Sequence, residues 1–204
     1  MAGVVVIDYG VGNLRSVEKA FRAAGAEAVV SADERVLSRA EKLVLPGVGA
    51  FRACMGALVE RGFDRLVRAR VREGTPLLGV CVGMQMLFEE SEEFGLTPGL
   101  GLLRGRVRRF PETLRVPQVG WNQVAWRRAH PLTEGIADGS FFYFVHSYLC
   151  EEEDAADALG ETEYGLNYTS VVARGNVCGV QFHPEKSQAA GLRLLRNFAV
   201  AEVA

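Results

Sequence analysis

The sequence predicts an α/β fold in which a mostly parallel central sheet carries helices on both faces and is extended by antiparallel strands. Continuous apolar runs at residues 4–7 and 76–80 are typical of strands that are buried on both faces. Helical patterns separate such runs in the first half of the chain, which indicates parallel strands joined by crossover helices. After residue 100, strand-like segments follow one another across turns without a helix of any length, which predicts the antiparallel extension.

Composition and charge indicate an ordinary globular domain. The 204 residues are 49% hydrophobic, which is enough for one sizeable core, so we expect a single domain over residues 1–204. Lys+Arg 23 nearly balance Asp+Glu 25 and no basic cluster occurs, so nucleic acid is not an expected partner. No apolar run is long enough to span a bilayer and no signal-peptide pattern is found, which predicts a cytoplasmic protein without a membrane partner.

The cysteine spacing indicates neither a disulfide framework nor a metal site. The four cysteines lie far apart and form no C-x-x-C pair, and we expect no metal and no cofactor. Each of them is therefore a candidate for catalysis or for plain packing: Cys54, Cys81, Cys150 and Cys178.

In the first half, turn residues divide the chain into strands and helices. Asn13 is expected to cap a helix over residues 14–24, which Gly25 ends. Residues 28–30 and 43–45 predict the next two strands. The loop Gly10-Val11-Gly12 resembles part of a dinucleotide-binding fingerprint, but the third glycine is missing and no acidic partner is evident on the second strand.

The remaining elements follow from the same patterns. Residues 51–72 predict one or two amphipathic helices broken near Gly62, and the run at 76–80 is followed by a helical pattern over residues 82–90. The acidic run at 151–154 is most simply a solvated turn. The other expected elements are strands over 102–110, 116–126 and 141–148, a hairpin of 168–173 and 177–182, and a final helix over 188–200.

The junction at Cys81 has the pattern of a nucleophile elbow. Gly79 and Gly83 flank the cysteine in the order G-x-C-x-G, where a strand passes into a helix. Glycines permit the strained turn and the close approach of strand and helix, and a helix N-terminus favours a thiolate. The alternative is a buried cysteine at the edge of a sheet with ordinary packing glycines.

Three histidines could serve a cysteine nucleophile as its base. His130 precedes a proline in a polar turn and is expected at the surface, and His146 near the end of an aromatic strand fits a core or a pocket wall. His183 ends an apolar strand and is followed by Pro184 and Glu185, which can fold back to orient the imidazole. This pattern favours a Cys-His-Glu triad.

Acyl transfer also needs amides that stabilise negative charge on the attacked carbonyl oxygen. The amide of Val82, directly after Cys81, is one candidate. The second could come from Val48 or Gly49 in the segment Pro46-Gly47-Val48-Gly49, which ends a neighbouring strand at the carboxyl edge of the sheet. The alternative is that this segment only ends the strand.

The three motifs P-G-x-G, G-x-C-x-G-x-Q and F-H-P-E, in this order, resemble those of the class I glutamine amidotransferases over nearly the whole chain. The resemblance implies a flavodoxin-like glutaminase fold and hydrolysis of glutamine to glutamate and ammonia through a cysteine thioester. It assigns the roles of nucleophile, general base and orienting carboxylate to Cys81, His183 and Glu185, and it implies that Gly47 and Gln85 contact the glutamine.

Finer features resemble one branch, the glutaminase subunits of imidazole glycerol phosphate synthase. They are the segments D-Y-G-V-G-N-L at 8–14, V-P-Q-V-G-W-N at 116–122 and F-V-H-S-Y at 144–148. This resemblance implies a role in histidine biosynthesis, in which a separate (β/α)₈ cyclase subunit receives the ammonia within a heterodimer. Ser147 and Tyr148 would flank the backbone of L-glutamine, and Glu93 would face its ammonium group.

The surface that receives such a partner is expected beside the triad. Asn13, Gln123 and Lys186 lie on separate predicted loops at this edge, and Lys186 could equally be a solvated lysine. Two other interpretations stay open: the glutaminase of pyridoxal phosphate synthase or anthranilate synthase, and a non-catalytic flavodoxin-like binding module. Against the first, the G-N-L and V-G-W-N segments favour the imidazole glycerol phosphate branch. Against the second, every triad position holds a competent residue type.

Overall fold

The computed structural model describes residues 3–201, which form six α-helices and thirteen strands. Residues 1–2 and 202–204, at the ends of the predicted domain, lie outside the described residues. The helices are α1 (Leu14–Ala23), α2 (Glu34–Leu37), α3 (Phe51–Glu60), α4 (Phe63–Arg72), α5 (Val82–Gln85) and α6 (Gln188–Val200).

The strands pair into one continuous network. They are β1 (Val4–Ile7), β2 (Ala28–Ser31), β3 (Lys42–Gly47), β4 (Leu77–Cys81), β5 (Glu90–Ser91), β6 (Thr97–Pro98), β7 (Gly105–Arg109), β8 (Gln118–Trp126), β9 (Ser140–His146), β10 (Tyr148–Glu152), β11 (Ala158–Glu163), β12 (Asn167–Arg174) and β13 (Val177–Val180). The main path runs β2-β1-β3-β4-β13-β12-β10-β7-β5-β6, and β11 links β12 to the ribbon of β8 and β9.

The centre of the sheet is parallel, as predicted. Strands β2, β1, β3, β4 and β13 pair in parallel, and antiparallel pairing begins at β12. Every residue of β1 and β4 is buried, so both faces of these strands are covered. Helix α1 packs against α6, while α3 packs against α4 and α5. The expected α/β architecture with helical layers and added antiparallel strands is confirmed.

Several element bounds agree closely with the sequence patterns. Strand β1 and helix α6 have the predicted ends, and the helical stretch after β3 is divided at Gly62, whose φ of 71° lies in the left-handed region. Asn13 occupies the N-cap position of α1, as predicted, but its side chain makes no capping hydrogen bond. None of the helices between residues 3 and 201 is long and apolar enough to cross a membrane.

The elbow helix α5 is much shorter than predicted, ending at Gln85 rather than near residue 90. Tertiary hydrogen bonds explain the difference. The carbonyl oxygens of Met86, Leu87 and Phe88 accept from the backbone N–H groups of the segment 100–103, and that of Glu89 accepts from Gly99. The backbone N–H of Glu89, which would donate to Gln85 in a continued helix, donates instead to Gly105, so the helix does not continue.

The antiparallel part differs most from the prediction. The expected strand over 141–148 is divided after His146, because β9 pairs with β8 whereas β10 pairs with β7 and β12. Only the second half of the acidic run is a turn: residues 153–154 form a bend, whereas Glu151 and Glu152 belong to β10. Glu151 forms ion pairs with Arg106 and Arg108 across the strand pair. Strands β5, β6 and β11 have no counterpart among the predicted elements.

Candidate active site

Cys81 occupies a strained turn between β4 and α5. Its φ of 55° and ψ of −116° form a backbone conformation that residues with a side chain rarely adopt. A Cβ on Gly79 would lie 2.6 Å from the carbonyl oxygen of Gly83, and a Cβ on Gly83 would collide with the carbonyl oxygen of Leu45. The predicted strand-to-helix elbow and the need for both glycines are confirmed.

His183 comes close to this elbow because β13 pairs in parallel with β4, so both strands end at the same edge. Its Nδ1 lies 2.9 Å from Oε1 of Glu185, and the two side chains are 7% and 2% exposed. A carboxylate oxygen only accepts, so Nδ1 carries the proton and Nε2 is left for Cys81. Pro184 begins a short 3₁₀ turn that folds Glu185 back, as the sequence predicted.

The electrostatics of this cluster favour a charged imidazole. Burial lowers the pKa of His183, but its hydrogen bonds with Cys81 and Glu185 and the negative charge of both partners raise that pKa further, to about 10. A thiolate beside an imidazolium is the arrangement that activates a cysteine for attack.

A cavity of about 360 Å³ opens next to Cys81 and His183. It brings together ten residues that the sequence analysis singled out, from five separate parts of the chain. They are Val48, Gly49, Cys81, Val82, Gln85, Glu93, Ser147, Tyr148, His183 and Lys186. Pro117, Val145 and His146 complete its lining. His146 was expected in the core or on a pocket wall, whereas Pro117 and Val145 had no assigned role.

The loop after β3 is held from beneath by two side chains. The hydroxyl of Tyr9 donates to the carbonyl oxygen of Pro46 at 2.6 Å, and the thiol of Cys54 donates to that of Val48 at 3.3 Å. Gly49 has a φ of 88°, which a residue with a side chain would adopt only under strain. The orientation of the amides in this loop is therefore set by the core below it.

Comparison with known proteins decides the family. The family model described as "Glutamine amidotransferase class-I" matches residues 5–201. The chain belongs to the class-I glutamine amidotransferases. It is 52% identical over 198 residues to the imidazole glycerol phosphate synthase subunit HisH of Symbiobacterium thermophilum, a match that covers 97% of this chain and 93% of that protein.

Two further comparisons agree. The HisH subunit of Syntrophotalea carbinolica is 50% identical over 202 residues, with 96% of this chain and 98% of that protein covered. A crystal structure of a glutamine amidotransferase superposes with a TM-score of 0.77 at 25% identity, covering 98% of this chain and 100% of that one. The predicted family, its α/β fold and the resemblance to the imidazole glycerol phosphate synthase branch are confirmed.

Four of the predicted site residues lie outside the cavity of this amidotransferase. Glu185 lies behind His183, as its expected role requires. Gly47 is buried, and a Cβ on it would lie 2.6 Å from the amide nitrogen of Gly83, so it provides close packing under the elbow and not a cavity wall. Asn13 and Gln123 lie on other elements, where the Gln123 amide donates to the carbonyl oxygen of Gly139.

Glu93 lies in the loop after β5. Its Oε2 accepts the backbone N–H of Phe51 at 2.6 Å, which is the first residue of α3. This bond anchors the loop and leaves the carboxylate on the wall of the cavity.

Sequence analysis missed three buried polar residues at this site. Gln181 is fully buried, and its Nε2 lies 3.8 Å from Sγ of Cys81. Tyr9 and Cys54 support the loop after β3 as described above. For Gln181 a signal was available, since it is a polar residue within an otherwise apolar run directly before the F-H-P-E motif. Within the described part of the chain, no cluster of His, Cys, Asp and Glu side chains could hold a metal ion.

Proposed function

We propose that this chain is the glutaminase subunit of an imidazole glycerol phosphate synthase and supplies ammonia to a (β/α)₈ cyclase subunit in histidine biosynthesis. The observation that carries the proposal is the arrangement of Cys81, His183 and Glu185 at the carboxyl ends of two parallel strands, beside a cavity of about 360 Å³. The HisH relatives, at about half identity over nearly the full length, support the choice of this branch.

In the first half of the reaction, the Cys81 thiolate attacks the side-chain amide carbon of glutamine. The C–N bond breaks as His183 gives its proton to the departing nitrogen, so ammonia leaves and a thioester remains. Glu185 holds the imidazole in the correct tautomer and stabilises its charge without accepting the proton.

In the second half, water attacks the thioester carbon while His183 takes a proton from it. The C–S bond then breaks, glutamate forms, and the thiolate and imidazolium are restored. Both attacks place negative charge on the carbonyl oxygen of the substrate. We assign its stabilisation to the backbone amide of Val82, which has no partner within α5, together with amides of Val48 and Gly49.

The cavity walls suit the two charged ends of glutamine. The carboxylate of Glu93 would attract the ammonium group, and Ser147 and Tyr148 would flank the backbone atoms. Gln85 lines the cavity one turn after the nucleophile, where its side chain is 3% exposed and would contact the substrate. Gly47 contributes the close packing that lets the loop after β3 approach the elbow.

A docked partner would keep the released ammonia away from water, where it would be protonated and lost. The ribbon of β8 and β9 offers a surface for docking, which we call the apolar face: Val119, Trp121 and Phe141, exposed by 59%, 45% and 54%. Val119 pairs with Val145, which lines the cavity, so the apolar face extends to the cavity wall. Exposed apolar side chains beside a site are typical of a protein interface.

Two residues expected at the interface lie next to this face. Gln123 pairs with Phe141 on the ribbon, and Nζ of Lys186 lies 5.8 Å from the ring centroid of Tyr143 on the same face. Asn13 follows β1 at the carboxyl edge of the sheet, in line with the expected contact. We propose that the cyclase subunit covers these three residues and the apolar face together.

The test is glutamate release by the purified chain, alone and with a cyclase subunit and its nucleotide substrate. Cys81→Ala should abolish glutamate release while leaving the complex able to use added ammonia, because hydrolysis and ring closure occur at different sites. Cys178→Ala is the matched control, since that buried thiol lies outside the cavity and its loss should leave turnover intact. Glutamate release by the Cys81 variant, or none by the native complex, would refute the proposal.

A further inference from the structure

A second buried polar group reaches the nucleophile besides His183. The side chain of Gln181 is fully buried, and its Nε2 lies 3.8 Å from Sγ of Cys81, within reach of a hydrogen bond to sulfur. A buried side-chain amide must find partners for its donors and its acceptor. No step of the mechanism above uses this amide.

A backbone carbonyl determines which end of the Gln181 amide faces the sulfur. The carbonyl oxygen of Tyr148 can only accept, and it lies 3.3 Å from the amide of Gln85, so Gln85 must present its NH₂ group there. The same NH₂ group lies 3.0 Å from the amide of Gln181. Gln181 must therefore turn its oxygen to Gln85, which leaves its own NH₂ group facing Cys81.

His146 holds the same carbonyl from the other side. Burial lowers the pKa of His146 to about 4, so the imidazole is neutral at pH 7. Its Nδ1 lies 2.7 Å from the carbonyl oxygen of Tyr148 and must carry the proton, while Nε2 lies 3.2 Å from the hydroxyl of Tyr168. The carbonyl that orients both glutamine amides is thus itself held in place.

We infer that Gln181 stabilises the Cys81 thiolate by donating an amide N–H to Sγ. The inference deepens the proposed function and rests on it. A thiolate can accept hydrogen bonds from an imidazolium and an amide at once, and bonds to a charged acceptor are stronger than bonds between neutral groups. The amide therefore favours the thiolate over the thiol and holds the sulfur in position for attack.

The short elbow helix makes this donor more important. The macrodipole of a helix arises from many aligned peptide units, and α5 has only four residues. The carbonyl oxygen of Val145, 4.0 Å from Sγ, is an acceptor that favours the protonated thiol. A side-chain donor on Gln181 opposes that carbonyl and supplies stabilisation that the helix end cannot.

Three other titratable groups near Cys81 are neutral at pH 7. Burial raises the pKa values of Tyr9 after β1, Cys54 on α3 and Cys150 on β10, and all three interact electrostatically with Cys81. His183, backed by Glu185, is then the charged group at the sulfur. Glu93 and Lys186 on the cavity wall are unchanged in the Gln181 variants, so comparison with the native protein isolates the effect of Gln181 on the thiolate.

The experiment follows alkylation of Cys81 by iodoacetamide against pH, with the modified peptide identified by mass spectrometry. Gln181→Met keeps the length of the side chain and removes the donor. It should raise the pH midpoint of alkylation by about one unit, which slows alkylation about tenfold at pH values well below the native midpoint. Gln181→Glu keeps an acceptor for Gln85 but turns a carboxylate towards the sulfur, and should raise the midpoint further.

Asn197→Leu is the control for the loss of a buried amide. Asn197 donates to the carbonyl oxygens of Leu132 and Glu134, away from the cavity, so its replacement should lower thermal stability and leave alkylation unchanged. An unchanged midpoint in both Gln181 variants, or a change no larger than in the control, would overturn the inference. If Gln181→Met does not fold, the near-isosteric Gln181→Glu decides.

The same measurement separates this inference from the proposed function. Iodoacetamide reports on the thiolate whether or not glutamine is a substrate. Native protein that releases no glutamate would refute the proposed function and leave the effect of Gln181 measurable. Native protein that releases glutamate, with alkylation unaffected in both variants, would keep the function and remove Gln181 from it.

Discussion

The parallel half of the sheet, β1–β4 with β13, and the antiparallel half, β5–β12, in which only β5 and β7 pair in parallel, contribute different things to one site. In β1 and β4 every residue is buried, whereas buried, half-buried and exposed residues are interspersed along β8. The parallel half supplies Cys81 and His183, at the ends of two adjacent strands. The antiparallel half supplies Tyr148 on the cavity wall and the apolar face. Reacting groups lie where the backbone is most constrained, and recognition surfaces lie where one side of a strand is free.

The largest effect is expected from the parallel half. His183→Ala should lower the turnover of glutamine by about 10²- to 10⁴-fold, because general acid and base catalysis is lost. Glu185→Ala should cause a smaller loss, since this carboxylate orients the imidazole and does not itself transfer the proton. Steady-state glutamate release in the complex measures both. Equal and complete losses would argue that Glu185 acts more directly.

A difference in stability should also separate the two halves. Leu78 in β4 is fully buried, so Leu78→Ala should lower the free energy of unfolding by about 2–5 kcal/mol. Val119 in β8 is 59% exposed, so Val119→Ala should change it by no more than about 0.5 kcal/mol. Urea titration of both variants measures this difference, and similar values would show that the halves do not differ in packing.

Partner affinity should depend on the antiparallel half. Trp121→Ala should weaken binding of the cyclase subunit about 30-fold, the effect of losing a central aromatic anchor worth about 2 kcal/mol. Lys186→Glu lies at the edge of the cavity and should have a smaller effect, about 1 kcal/mol, because exposed charges are screened. Calorimetric titration tests both. Unchanged affinity for Trp121→Ala would move the interface away from the apolar face.

Mild acid should weaken the antiparallel half first. Because burial lowers the pKa of His146 to about 4, the unfolded chain binds a proton below pH 6.5 that the folded chain does not. The part of the free energy of unfolding that depends on neutral His146 is therefore fully present above pH 6.5 and decreases as the pH falls towards 4. Between pH 7 and pH 5 the contribution of His146, measured by urea unfolding as the difference between the native protein and His146→Gln, should fall by about 2 kcal/mol.

His146→Gln should reduce the dependence on pH, because the variant has no group to titrate there. His130→Gln is the control: His130 is only half-buried, so its pKa is lowered less completely by burial and its replacement should flatten the profile less. A profile that stays as steep in His146→Gln as in the native protein would show that another group carries the acid sensitivity.

Sequence patterns were most informative where structure depends on neighbours along the chain. The apolar run of β1, the break at Gly62 and the elbow around Cys81 all follow from local residue types. They were less informative where distant segments compete for the same groups. Helix α5 ends early because the N–H of Glu89 donates to Gly105 and not to a carbonyl of the elbow helix. Glu151 lies in a strand because β10 pairs with β7, a segment distant in the chain.

The sequence by itself determined the family and the strand-to-helix elbow at Cys81, and it predicted the nucleophile and the residues expected to serve it, because each belongs to a short motif whose spacing matters for local geometry. Only the tertiary structure decided that Gln181 turns its amide to the sulfur, since that orientation depends on a carbonyl from β10 and on His146 from β9. The apolar face likewise became visible only through strand register, because burial of a strand residue depends on what covers its sheet and not on its own side chain.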